Sequence, residues 1–379
     1  MSTTKTYQLF INGNWVDASS GETADILNPA TEEVVGIVQI GNETDALKAL
    51  KVAEKAQKDW KKVPAGKRAE VMRAFAGGIK KEKDRLAEIL VREQGKLFRV
   101  AQMEVDVTAS FIEYACDWAR HIEGDIVTSD NPNEHIWIHR IPRGVVVAIT
   151  AWNFPLALAG RKIGPALVAG NSVVLKPTQE TPLATLELGD IAKDAGLPDG
   201  LLNILTGYGR VLGNALVESP VTKMVTMTGS TPAGQQIFRT AANNLTHVQL
   251  ELGGKAPCIV FEDADVDQAI EGSFHSRFDN CGQVCTCNER LYLHEDIYDT
   301  FMEKFMEKVK AIKIGDPMDP ATDLGPKVNQ SELRNMEHLV AKSIEEGATI
   351  VYGGKSPEGA QFGKGYWFEP TIITDVRQD

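Results

Sequence analysis

Apolar positions along this chain change their period in blocks. Residues 7–40 hold short β-rich runs, YQLFING and EVVGIVQI, separated by the turn-forming NPATEE, which predicts small strands. From Asn42 to about His121 apolar residues recur at three- and four-residue spacing in ALKALKVAEKAQKDW, RAEVMRAFAGGIKKEKDRLAEILV and VDVTASFIEYACDWARHI, the helical period. IVTSDNPNEHIWIHRIP alternates and predicts a protruding hairpin of the kind used for oligomer contacts. After Gly144, nearly continuous apolar runs (VVVAITAW, SVVLKP, LLNILT, KMVTMT) alternate with helical stretches beginning near Pro155, Leu183, Arg210 and Pro232. Strands of this kind belong to a parallel sheet covered on both faces, whose ligands bind at the carboxyl ends of the strands. Beyond VQLELGGKAPCIVF a second α/β unit is expected, with helices over DADVDQAIEGSFHSRF and DIYDTFMEKFMEKVKAI and a boundary near Gly253–Gly254.

Composition narrows the class. A chain of 379 residues exceeds what one core organises, so at least two domains are expected. A net charge of −12 argues against a nucleic-acid partner. The N-terminal MSTTKTYQLFINGNW does not read as a secretory signal, and the uncharged run GVVVAITAWNFPLALAG is interrupted by Asn153 and Pro155 and short for a membrane span. An odd count of five cysteines suggests free thiols in a reducing compartment. A cytoplasmic location with no membrane partner is therefore expected, with Cys116 and Cys258 read as small buried hydrophobes.

Several motifs carry candidate chemistry. Gly207-Tyr208-Gly209 with Gly213 beyond is a weak dinucleotide fingerprint, with one residue too many before the last glycine. MTGSTPAG is better: Gly229 ends a strand, Ser230 or Thr231 caps the next helix, and Pro232 opens it. The free amides and positive dipole end there suit a phosphate, and plain capping stays an equal reading. Lys176 in VLKPT stands at a strand end, where a ribose or phosphate would engage it. Asn153 in AWNFP is either an oxyanion donor or a turn residue before proline. Glu251 in LELGGK ends an apolar strand, where desolvation would suit it to general-base work, the alternative being a solvent-facing Glu. In DNCGQVCTCNER, Cys281, Cys285 and Cys287 lack zinc spacing and a second ligand cluster, so no metal is expected. A nucleophilic cysteine and inert loop thiols both remain open on spacing alone.

Taken together, WNFP, KPT with TP beyond it, TGSTPAG, LELGGKAP and GQVC, in this order and spacing, resemble the NAD(P)-dependent aldehyde dehydrogenase superfamily. The resemblance runs from INGNWVDASSGETADILNPATEE to the last residue, and CDWARHIEGDIVTSDNPNE with RKIGPALVAGN points to its lactaldehyde/glycolaldehyde branch. It implies an α/β fold: a Rossmann-type cofactor domain from residues 1–122 and 143–252, an oligomerisation hairpin at 123–142, and a catalytic domain at 253–379. It also implies a homodimer or homotetramer acting on a small aldehyde. Cys285 would form a thiohemiacetal, Asn153 and the Cys285 amide would hold its oxyanion, and Glu251 would activate the water that hydrolyses the thioester. Lys176 would contact the adenosine ribose, Ser230 the pyrophosphate, and Trp152, Gly209 and Gly229 would line the cofactor site. Cys281 and Cys287 would be neighbours, with Cys287 able to trap an oxidised Cys285. Arg161 is a candidate for holding a substrate oxygen, against a plain surface or interface Arg.

The sequence departs from the family at two places. Gln179 stands where NAD-preferring relatives carry an acid, with Glu180 beside it, so NAD is expected and NADP is left possible. Family members continue past residue 379 through a segment that binds the nicotinamide ribose, so the chain reads as C-terminally truncated, with an apolar sheet edge expected in the second domain. Competing readings are a semialdehyde or broad-range aldehyde dehydrogenase, a CoA-acylating relative, and a silent cofactor-binding fragment.

Overall fold

The computed structural model describes residues 4–377. Five short strands open the chain: β1 (Thr6–Tyr7), β2 (Leu9–Ile11), β3 (Asn14–Val16), β4 (Thr23–Leu27) and β5 (Val34–Gln39). Helices α1 (Glu43–Trp60), α2 (Ala65–Lys81), α3 (Lys83–Gln94) and α4 (Phe98–Asp117) follow, and then the hairpin strands β6 (Asp125–Val127) and β7 (Ile136–Ile138). The alternating block comprises β8 (Val145–Ile149), α5 (Pro155–Val168), β9 (Ser172–Lys176), α6 (Leu183–Asp194), β10 (Leu202–Ile204), α7 (Asn214–Glu218), β11 (Thr222–Gly229), α8 (Thr231–Ala242) and β12 (His247–Leu252). The remainder holds β13 (Pro257–Val260), α9 (Val266–Phe278), β14 (Arg290–Leu293), α10 (Glu295–Lys310), α11 (Gln330–Glu345), β15 (Thr349–Tyr352) and β16 (Ile372–Thr374).

The chain forms two compact units. The first, Met1–Asp25, Gly36–Leu86 and Met103–Leu252, is built on a seven-stranded sheet of order β12-β11-β8-β9-β10-β2-β3. Its five strands from β12 to β10 are parallel, as the apolar runs of β8 and β9 predict, and β2 joins β10 antiparallel. Val145, Val147, Val174 and Val225 meet Leu50 of α1 and Leu212 and Leu216 near α7 in its core. In the hairpin, β6 and β7 pair antiparallel with every residue exposed, among them Ile126 and Trp137.

The second unit is Ile26–Val35, Ala87–Gln102 and Gly253–Asp379. Residues 26–35 and 87–102, which the sequence division keeps with residues 1–122, pack here. The Tyr366 amide donates to the Pro29 carbonyl at 2.9 Å and the Phe98 amide to the Pro317 carbonyl at 3.0 Å. A Cβ at Gly95 would lie 2.7 Å from Pro29 Cγ and 2.9 Å from Pro326 Cγ, so only glycine allows this approach. The unit contains a parallel β13–β14 pair and an antiparallel β15–β16 pair. Its core joins Phe278 of α9 to Phe301 and Phe305 of α10.

Candidate active site

In the first unit four parallel strands end at nearly one level: Ile149 pairs with Lys176 and with Met227, and Thr228 pairs with Glu251. Trp152 and Asn153 follow β8, Lys176 closes β9, Gly229 closes β11, and Glu251 is the last residue but one of β12. These residues and Ser230 therefore gather along one edge of the sheet. Strands β8, β9 and β10 run to one side, and β11 then returns to the other side of β8. The order reverses between β8 and β11, where Asn153 and Ser230 follow the strand ends, the place at which open α/β sheets bind ligands.

The donors at this edge suit a dinucleotide. Lys176 is 5% exposed, burial pushes its ammonium down to about 8, and Nζ donates to the Pro177 carbonyl at 3.2 Å. A buried cation at a strand end is costly until an anion or hydroxyl pairs with it. Ser230 caps α8 from extended backbone (φ −77°, ψ 151°), its hydroxyl accepting from the Ala233 amide at 3.4 Å, with Pro232 in the first turn. That leaves the positive end of α8 at the strand termini, ready for a phosphate. Gln179 is half-buried and Glu180 exposed. Gly209, expected just before a helix near Arg210, instead opens a π-helix over Gly209–Gly213 and is exposed, with open space where a Cβ would stand. At Gly229 a Cβ would meet the flexible end of Met227, 2.4 Å from its Cε.

On the α5 face, a cleft of about 410 Å³ is lined by Arg161, Lys162, Thr226, Gln249 and Glu251, among others. A polar chain runs through it. Lys162 Nζ donates to Thr226 Oγ1 at 3.2 Å, Thr226 Oγ1 donates to Gln249 Oε1, and Gln249 Nε2 donates to Glu251 Oε1 at 2.9 Å. Lys162 is 5% exposed, and burial with the neighbouring Arg161 charge pushes its ammonium down to about 8, against the opposing pull of Glu251. The apolar surroundings expected for Glu251 are absent: its side chain is exposed. Arg161 is exposed too, its guanidinium 5.2 Å from the Phe111 ring centroid. The sequence reading passed over Lys162, Thr226 and Gln249. Gln249 was legible as a polar residue two places before Glu251, hence on the same strand face, whereas Lys162 looked like part of an ordinary apolar helix.

Cys285 stands in the second unit, on a loop tied down on either side. Asn280, Cys281 and Gly282 have φ of 49°, 59° and 69°, a left-handed run. At Gly282 a Cβ would also come within 2.3 Å of Arg277 Nη2, and left-handed backbone strains any residue but glycine. Cys281 Sγ donates to the Gly325 carbonyl at 3.1 Å, Lys327 Nζ donates to the Cys281 carbonyl at 3.3 Å, and the Val328 amide donates to Gln283 Oε1 at 3.1 Å. Beyond the turn the Asn288 amide donates to Ser276 Oγ at 3.0 Å, and the buried Cys287 Sγ accepts from Arg277 Nη1 and donates to the Gly282 carbonyl, each at 3.4 Å. Between these anchors Cys285 and Thr286 are exposed. Burial pushes the Cys281 thiol up to about 11, which keeps it protonated and inert. All five cysteines are unpaired, and no group of three or more His, Cys, Asp or Glu among the described residues could hold a metal.

A doubly wound parallel sheet with phosphate-ready donors at its carboxyl edge places the first unit in the nucleotide-binding α/β class. The chain belongs to the aldehyde dehydrogenase family, whose sequence profile matches residues 15–379. It is 64% identical over 374 residues to 3,6-anhydro-α-L-galactose dehydrogenase of Vibrio sp. (strain EJY3), covering 99% of this chain and 78% of that one. It is 41% identical over 380 residues to lactaldehyde dehydrogenase of Escherichia coli (strain K12), covering 100% of this chain and 78% of that one. A solved structure of 3,6-anhydro-L-galactose dehydrogenase in complex with NADP superposes with a TM-score of 0.97 at 64% identity, over 99% of this chain and 78% of that one. The structure of E. coli lactaldehyde dehydrogenase gives 0.96 at 40% identity, over 100% and 78%.

Proposed function

We propose that this protein oxidises a small hydroxyl-bearing aldehyde to its carboxylate, with Cys285 as nucleophile and Glu251 as base. The observation that carries the substrate class is the α5 cleft, where Arg161 and Glu251 line one cavity. A guanidinium in the same cleft as the base can hold a hydroxyl or ring oxygen of the substrate, which an aliphatic pocket cannot. Identity of 64% to an anhydrogalactose dehydrogenase against 41% to a lactaldehyde dehydrogenase favours a sugar-derived aldehyde over lactaldehyde. The same Arg161 also suits the carboxylate of a semialdehyde, and a succinate-semialdehyde dehydrogenase is 39% identical; this is the second reading.

The chemistry follows from the residues. The Cys285 thiolate adds to the aldehyde carbon, and Asn153 Nδ2 and the Cys285 amide donate to the oxygen that becomes anionic. The bound nicotinamide supplies a hydride acceptor. Loss of hydride leaves a thioester on Sγ, and Glu251 takes a proton from the water that attacks it, releasing the acid and the thiol. Lys176 would hold the adenosine ribose and the capped end of α8 the pyrophosphate, and Trp152, Gly209 and Gly229 would line the cofactor. Gln179 places no carboxylate against a 2′-phosphate, so NADP is accepted as well as NAD.

The exposed β6–β7 hairpin is read as an oligomer contact, and the unpaired thiols as those of a cytoplasmic enzyme. No helix among the described residues is long and apolar enough to cross a membrane. NADH and NADPH production across anhydrogalactose, lactaldehyde, glycolaldehyde and succinate semialdehyde tests the reading. The highest kcat/KM is expected for the sugar aldehyde, falling at least tenfold in Arg161→Ala; a preference for succinate semialdehyde selects the second reading.

A further inference from the structure

Helix α5 begins directly after Trp152 and Asn153. Phe154 occupies the cap position without a side-chain hydrogen bond, and Pro155 has no N–H to offer. The next amides, of Leu156 and Ala157, are the ones a helix start leaves without an intrahelical partner. Their acceptor comes from α4: Glu104 Oε1 accepts from Leu156 N at 2.9 Å and from Ala157 N at 3.2 Å. Glu104 is only 1% exposed. Its charge at the positive end of α5 is favoured by the helix dipole.

The contact continues down both helices with matched spacing. A Cβ on Gly160 would lie 2.8 Å from the Thr108 carbonyl oxygen, and one on Gly164 would lie 3.0 Å from Ile112 Cα. Glu104, Thr108 and Ile112 thus meet Leu156, Gly160 and Gly164, each set at four-residue intervals along one helix face. Glycines allow the backbones to touch, and the carboxylate fixes the register at the upper end.

We propose that Glu104 is a positioning residue for Asn153: by bonding the first free amides of α5 it fixes where the Trp152–Asn153–Phe154 turn stands, and so where the Asn153 amide points. The inference rests on the reading of Asn153 as oxyanion donor. Glu104 touches neither substrate nor cofactor in this role. Its loss moves the donor, and small displacements of such a donor are costly because it acts only on charge formed in the transition state.

A double-mutant cycle on the protein tests this, reading the pre-steady-state rate of NAD(P)H formation with anhydrogalactose. Asn153→Ala is expected to slow the burst on the order of 100-fold, as loss of one oxyanion donor does, and Glu104→Gln about 10-fold. The double variant should be no slower than Asn153→Ala alone, since the misplaced group is then absent. Glu104→Asp, which keeps the charge but shortens its reach, should lose rate as Glu104→Gln does. The rate of Cys285 alkylation should stay at the wild-type value in both Glu104 variants. Multiplicative losses in the double variant, or a Glu104→Gln protein with lowered Tm and a wild-type burst, overturn the proposal. A wild-type burst in Asn153→Ala overturns instead the oxyanion reading beneath it.

Discussion

Cys281 and Cys285 are four positions apart, and their surroundings make them chemically unlike. Burial pushes Cys281 and Cys116 up to about 11 each, whereas Cys285 lies in solvent. Iodoacetamide at neutral pH should therefore label Cys285 first, and Cys285→Ala should stay unlabelled over the same interval, as read by peptide mass spectrometry. The spacing of the three loop thiols left this choice open, because tertiary ties to Gly325, Lys327 and Val328 decide it. For Glu251 the sequence misled for a simple reason. Leu250 and Leu252 alternate to the opposite strand face, while Gln249, which shares its face, is polar. Lys162 gives a pH test. It is charged below about 8 and neutral above, and it stands at the far end of the hydrogen-bonded chain through Thr226 and Gln249 that reaches Glu251. Thioester hydrolysis should show an inflection near pH 8, where that chain loses its cation, and Lys162→Met should remove the inflection from the kcat profile.

Among the elements, the crossing of α4 and α5 is the tightest link to the candidate site. Gly160→Ala pushes a methyl against the Thr108 carbonyl and should cost about 1–3 kcal/mol in urea unfolding, with a slower burst from the displaced Asn153 turn. Apolar period alone made both helices legible, and it also made the parallel strands legible, because strands covered on two faces have no polar side to hide. Contacts set by shape were not legible. The run RAEVMRAFAGGIKKEKDRLAEILV carries an unbroken helical period, yet α2 ends at Lys81 and α3 starts at Lys83, with Glu82 between them at φ −93° and ψ 16°. Neither proline nor glycine marks that break. Glu104 was hidden in the same way, as one acid inside an amphipathic helix whose partner lies 52 residues on.

For the molecule as a whole, ligand-ready groups are held at a cost in stability. Lys176 titrates near 10.5 when unfolded and about 8 when folded, so the unfolded chain binds more protons between those values and stability rises with pH across them. Below pH 8 the penalty is fully present, at about 3 kcal/mol by the usual conversion of roughly 1.4 kcal/mol per unit. Lys176→Met should therefore raise unfolding free energy near pH 7 by up to about 3 kcal/mol, less at alkaline pH, and weaken cofactor binding. In the second unit Ile259 and Phe261, on and just after β13, are each 61% exposed. Such an apolar strand edge invites association, so Ile259→Lys should lower light scattering of the purified protein. The central claim is covalent catalysis at Cys285 completed by Glu251. It is tested most directly by intact and peptide mass spectrometry of Glu251→Gln quenched during turnover. An acyl adduct on the Cys285 peptide, with a wild-type NAD(P)H burst and steady turnover slowed on the order of 100-fold, is the predicted result. Unmodified Cys285 with turnover at the wild-type rate would contradict it.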